Sequence, residues 1–261
     1  MKIKEVIAAL ELVAPLPLQE DFDNAGLQVG LTEAEVSGAL LCLDITESVI
    51  DEAIRLHCNL IVSHHPLIFH KLSQVVGATF VERCVMKALK NDIVIMAMHT
   101  NLDNAEGGVN FKIAERIGLS KVAFLTPRQL DALTYGSGVV GKLPAPLAAA
   151  DFLQMLKERF EVECLQCNEL LQRNIRRVAI CGGAGSFLLD EALQAGADAF
   201  VTGEMHYHEY FGHEQDIQIA VMGHYQSEQF TSQLLQEIIQ RSCPGVKTYV
   251  TTIKTNPIHY V

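Results

Sequence analysis

Three groups of imidazole and carboxylate residues follow directly on apolar runs in this chain. His64-His65-Pro66 follows Leu60-Ile61-Val62-Ser63. His99 and Asp103 follow Ile93 to Met98, and His224 and Glu228 follow Ile217 to Gly223. Imidazole nitrogens and carboxylate oxygens are the donors that hold zinc, iron or manganese, and a pair of such ions activates water for hydrolysis.

Each group also has a plainer reading. Neighbours on a regular strand point to opposite faces, which would put one doublet histidine in the core and the other in solvent. At a strand end, Pro66 imposes extended geometry on His65, and the two rings can splay toward two ions about 3.5 Å apart. Asp103 lies in Asn101-Leu102-Asp103-Asn104, where an Asx turn or a helix cap would also suit it. His224 and Glu228 share one face if a helix begins near Tyr225; otherwise they are a cap and a solvated glutamate. His99 is a further ligand, a residue that holds Asp103, or a substrate contact. Glu204, in Gly203-Glu204-Met205-His206-Tyr207-His208, is a general base, an acid beside the metal, or part of a surface cluster. His99 and Glu204 are the candidates for proton transfer.

The elements that must position these groups are legible from periodicity. Short runs rich in Val, Ile and Leu predict buried strands near 39–43, 59–63, 93–98, 177–181, 198–202, 217–222 and 246–252. Helices are predicted near 2–13, 47–57, 79–90, 108–117, 149–159, 187–195 and 226–240, the last carrying a stripe of Phe230, Leu234, Leu235, Ile238 and Ile239. Strand–helix alternation implies largely parallel sheets, and ligands of such sheets sit beyond the carboxyl ends of the strands. Asp44 after Leu40–Leu43 occupies the same kind of position as the histidines.

The halves repeat. At an offset of 139, Cys42 falls on Cys181, Asp51-Glu52-Ala53 on Asp190-Glu191-Ala192, and Ile61-Val62-Ser63 on Phe200-Val201-Thr202. At an offset of 125, His99 falls on His224 and Asp103 on Glu228. The expected fold class is therefore α/β: two similar lobes with largely parallel sheets and a metal site in the cleft between them. The lobes are expected at 1–125 and 126–261, with the C-terminal helix and strand open to exchange between them. The Gly- and Pro-rich stretch 126–147 has the composition of a connection.

The bulk numbers narrow the classes. With 261 residues, 49% hydrophobic and 20% charged, the chain is a folded protein of one large domain or two lobes. A net charge of −11 argues against a nucleic-acid footprint. No run is long and apolar enough for a membrane helix, and no leader pattern opens the chain, so a cytosolic location is expected. The seven scattered cysteines suit a reduced compartment. Cys164-Leu165-Gln166-Cys167 lacks the second pair of a zinc site. The turn Cys181–Ser186 offers a weak anion nest or a plain tight turn, with Ser186 able to cap the next helix. No Gly-x-Ser-x-Gly elbow is present.

Five stretches together resemble a known family. They are Asp23-Asn24-Ala25-Gly26-Leu27-Gln28-Val29-Gly30, Ser63-His64-His65-Pro66, His99-Thr100-Asn101-Leu102-Asp103, Thr202-Gly203-Glu204 and Gly223-His224-Tyr225-Gln226-Ser227-Glu228. The family is the NGG-interacting-factor-three-like proteins, also labelled GTP cyclohydrolase 1 type 2 homologues. The resemblance implies metal ligands at His64, His65, Asp103, His224 and Glu228. It implies two divalent ions, iron or zinc with manganese as a further option, and a toroidal homohexamer. Phe22 departs from the tryptophan frequent before Asp-Asn in that family.

The leading expectation is a dinuclear metal-dependent hydrolase acting on a small polar substrate such as GTP, with Lys71 and the 182–186 turn near phosphate. The alternatives are a metal-binding regulatory or assembly protein without turnover, and a di-iron redox enzyme.

Overall fold

The computed structural model describes residues 1–259. The chain forms two units, Met1–Leu102 together with Phe230–Val261, and Asp103–Gln229.

The first unit begins with α1 (Ile3–Val13), β1 (Gly26–Val29), β2 (Ala39–Cys42), α2 (Glu47–Arg55), β3 (Leu60–Ser63), α3 (Phe80–Lys90) and β4 (Val94–Ala97), and the short α4 (Thr100–Asp103) ends on the first residue of the second. The second comprises α5 (Val109–Ile117), β5 (Ser120–Leu130), β6 (Leu133–Leu147), α6 (Ala149–Phe160), β7 (Gln166–Cys167), β8 (Ile175–Cys181), α7 (Leu189–Gln194), β9 (Ala199–Thr202), β10 (Gln218–Val221) and α8 (His224–Glu228). The chain then returns to the first unit with α9 (Thr231–Ser242) and β11 (Thr248–Val250).

The first sheet has the order β1-β4-β3-β2-β11. Its last four strands are parallel, and β1 runs antiparallel on the edge. The second has the order β5-β6-β8-β9-β10-β7, with a parallel centre of β8, β9 and β10 and antiparallel strands outside it. Every residue of β2, β3, β4, β9 and β10 is buried, which is why these segments read as unbroken apolar runs. Two of the covering helices start where a side chain takes an orphan amide. Thr46 accepts from Val49 N to open α2, and Thr79 accepts from Glu82 N to open α3.

The internal repeat holds at the level of register. Cys42 pairs with Ser63 between β2 and β3, and Cys181 pairs with Thr202 between β8 and β9. Met98 N donates to Ser63 O, and Met222 N donates to Thr202 O. The halves diverge one residue later, where Gly223 (φ 99°) is interposed before His224.

All seven predicted strands and all seven predicted helices lie on observed elements, with two revisions. The 126–147 stretch is no connection; it forms most of the long β5–β6 hairpin. Its prolines and glycines answer to strand packing. Pro127 sits in an edge strand, where a missing N–H is tolerated. At Gly136, a Cβ would stand 2.2 Å from Thr126 O of the facing strand. The predicted helix 226–240 is two helices, α8 and α9, parted at Gln229 and Phe230. β1, part-exposed at Leu27 and Gln28, carries no unbroken apolar run, and β7 is only two residues long.

Candidate metal centre

In the first unit, β3 and β4 lie side by side and parallel, with Ser63 opposite Ala97. Their carboxyl ends therefore deliver His64, His65 and His99 to one place. The doublet's main chain stays in the ladder: His64 N donates to Cys42 O and His65 N to Leu43 O. Ser63 Oγ donates to His65 O at 2.7 Å. Ring centroids are 4.8 Å apart for His64 and His65, 5.2 Å for His64 and His99, and 5.4 Å for His65 and His99. One nitrogen from each of the three rings lies within 4.8 Å of the others. The arrangement with one ring packed and one solvated is thus not adopted. Both doublet rings face His99, although His64 is fully buried and His65 is half-buried.

Each of these rings is held by its Nδ1. His64 Nδ1 lies 2.8 Å from Met98 O. His65 Nδ1 lies 2.7 Å from Asp44 Oδ1, and His99 Nδ1 lies 2.7 Å from Asp23 Oδ1. A carbonyl or an ionised carboxylate can only accept, so Nδ1 is the protonated nitrogen, and in the neutral ring Nε2 is the one with the lone pair. Burial pushes the Asp23 carboxyl up. The His99 ring, the Thr100 hydroxyl and the Asn24 amide outweigh it and hold the pKa at about 2. Burial opposes ionisation of Asp44 likewise, and the bonds from His65 and Thr255 pull its pKa below the ordinary value. Thr100 fastens Asp23 twice, through its amide at 3.1 Å and its hydroxyl at 2.5 Å.

In the second unit, the turns after β8, β9 and β10 build the other donor set. His224 opens α8 and Glu228 closes it, with His224 Nε2 at 3.2 Å from Glu228 Oε2. Two ligands each about 2.1 Å from one ion adopt such a spacing. His224 Nδ1 lies 2.9 Å from Glu204 Oε1. A carboxylate thus holds Nδ1 in this unit as it does at His65 and His99, and here Nε2 also stands beside an oxygen donor. Glu228 is buried, while Glu204 is exposed.

The glycine turn seats this pair. At Gly183 (φ +58°), a Cβ would lie 2.4 Å from Glu228 Oε1 and 3.3 Å from His224 Nε2. At Gly203, a Cβ would lie 2.6 Å from Gly183 O and 2.7 Å from Ser227 Oγ. The turn is not an anion nest. Gly182 N donates to Asn110 Oδ1, Gly183 N to Ser227 Oγ, and Gly185 N to Thr202 Oγ1. Ser186 does not cap a helix; its hydroxyl donates to Glu209 Oε1. Asp103 ends α4, and its carbonyl accepts from Asn110 Nδ2 at 3.2 Å. Asn110 thereby ties the Asp103 backbone to the Gly182 turn.

Sequence reasoning marked Asp44 only as a polar residue at a strand end, and gave Asp23 no role. Asp23 sits 76 residues from its partner His99. Only its place in Asp23-Asn24-Ala25-Gly26 hinted at it. Lys71 is exposed, and so are Cys164 and Cys167, both free thiols.

Two α/β units, each with imidazole and carboxylate groups beyond the carboxyl ends of parallel strands that could hold a metal ion, define the class as α/β proteins with a candidate metal site. The chain matches the model of Duf34/NIF3 (NGG1p interacting factor 3) over residues 1–257, and it belongs to that family. It is 34% identical over 230 residues to the GTP cyclohydrolase 1 type 2 homolog of Clostridium acetobutylicum, covering 87% of this chain and 85% of that protein. Identity to the protein of the same name from Lactococcus lactis is 31% over 99% of each. A Bacillus cereus protein related to NIF3 matches in structure with a TM-score of 0.91 at 25% identity, covering 100% of this chain and 99% of that one. Among the described residues, no helix is long and apolar enough to cross a membrane.

Proposed function

We propose that this protein is a dinuclear metal-dependent hydrolase of a small polar substrate, with His64, His65, Asp103, His224 and Glu228 as the ligands. One observation carries the reading. All four imidazoles, at 64, 65, 99 and 224, have Nδ1 engaged by a carboxylate or a carbonyl. Metal-ligating histidines are held in this way, because it fixes the tautomer and raises the basicity of the other nitrogen. Three buried or half-buried rings with nitrogens this close would repel one another if all were protonated, whereas cations held by His64 and His65 would draw on their lone pairs and leave His99 beside them. Imidazole with carboxylate suits iron or zinc, with manganese as a further option.

Bound divalent ions supply Lewis acidity toward the scissile bond and the attacking water. The chain's own residues do the rest. His99, locked by Asp23, presents Nε2 as the group that takes up and returns a proton. Glu204 acts by orienting His224, since one of its oxygens is committed to that ring. Nucleotides head the substrate class because relatives carry the name GTP cyclohydrolase 1 type 2 homolog.

The test is elemental analysis of anaerobically purified protein, followed by nucleotide turnover. Two equivalents of metal are expected in the wild type. Glu228→Ala is expected to lose about one equivalent and at least 100-fold in turnover, with an unchanged circular dichroism spectrum. Undiminished turnover in metal-stripped protein would overturn the reading.

A further inference from the structure

The segment that follows β11 reaches the first donor set. β11 runs parallel to β2, and Thr251 N extends the ladder to Leu41 O. That pairing carries the chain past the carboxyl end of β2, where Asp44 stands. Three anchors hold the segment there. The buried Glu52 accepts from the Thr251 hydroxyl, from Thr252 N at 3.2 Å and from Thr252 Oγ1 at 2.5 Å. Ile253 packs against the core formed by β2, β3 and α2. Thr255 Oγ1 then donates to Asp44 Oδ2 at 2.7 Å.

Asp44 is thus gripped from two sides. One oxygen accepts from His65 Nδ1 and the other from the Thr255 hydroxyl. A carboxylate has one torsional freedom that matters here, the rotation of its plane, and the Thr255 bond removes it. We propose that Thr255 is a positioning residue for the metal centre: it fixes the plane of Asp44, which fixes the tautomer and tilt of His65. The first donor set is therefore completed by a residue 190 positions downstream of the histidine it serves, from a segment outside every predicted element. This inference rests on the metal reading for its consequence, though not for its geometry.

The experiment compares the wild type, Thr255→Val, Thr255→Ser, Asp44→Ala and the double variant Asp44→Ala/Thr255→Val. Zinc affinity is read by competition with a chromogenic chelator. The His65 ring is read in chelator-treated protein by long-range proton–nitrogen NMR, assigned through His65→Gln. Thr255→Val is expected to weaken zinc binding about tenfold, and Thr255→Ser, which keeps the hydroxyl, to restore it. Asp44→Ala is expected to weaken binding on the order of 10- to 100-fold. In that background Thr255→Val should change affinity by less than about twofold, since its effect passes through Asp44. Additive losses, or a Thr255→Val protein with wild-type affinity, would overturn the proposal. If none of the proteins binds zinc, the metal reading fails and the NMR arm decides the geometry. A fall in the Nδ1-protonated form of His65 in Thr255→Val supports the relay, and an unchanged ring overturns it.

Discussion

Glycine at 183 shows how closely the donor set constrains single residues. Its φ of +58° disfavours any side chain, and its missing Cβ leaves the space that Glu228 Oε1 occupies. Gly183→Ala is expected to lower stability by about 1–3 kcal/mol and to displace Glu228. Gly196→Ala is the control, since its φ is +66° and nothing lies within 4 Å of its would-be Cβ. Both should cost stability in urea unfolding, and only Gly183→Ala should lower the bound metal. Equal metal content in the two variants would refute the packing argument. At this scale the histidines were legible because they interrupt apolar runs. Their partners were not. Asp23 and Asp44 lie in loops, and nothing in local pattern says which distant imidazole a loop carboxylate will meet.

Among the elements, β11 depends on a buried charge. Glu52 on α2 holds Thr251 and Thr252, nearly 200 residues away in the chain. Burial opposes its ionisation, and the bonds from Thr251 and Thr252 override that and lower its pKa. A carboxyl whose folded pKa is depressed stabilises the fold fully above its unfolded value of about 4.3, and that contribution is lost as pH falls through the lower folded value. Glu52→Gln is expected to cost about 1.5–3 kcal/mol at pH 7. Its urea midpoint should converge on the wild type as pH drops below about 4. A constant gap between pH 7 and pH 3 would refute the assignment. The central strands were legible because burial on both faces leaves a continuous apolar signature. The β5–β6 hairpin was misread because its glycines and prolines serve close strand approach and an edge position, and composition alone does not separate those uses from a flexible link.

For the molecule as a whole, ligand binding and stability are coupled. Zinc at a hundredfold excess over its Kd is expected to stabilise the folded chain by about 2.7 kcal/mol per site, which raises Tm by several degrees for a chain of this size. A chelator should remove that increment, and Glu228→Ala should shrink it; melting curves identical with and without zinc would count against metal binding. The duplicated plan was legible because residue offsets survive in the register of β2–β3 and β8–β9. The first unit is discontinuous in sequence, and that has a consequence for biosynthesis. Residues 1–102 leave the ribosome first, yet their sheet lacks β11 and the α9 cover until synthesis passes residue 250. The second unit, an unbroken stretch, has all its strands by residue 221 and can close while the earlier one waits. The second sheet can therefore be completed before the first, and the opening hundred residues are expected to expose an unfinished sheet for longer during synthesis.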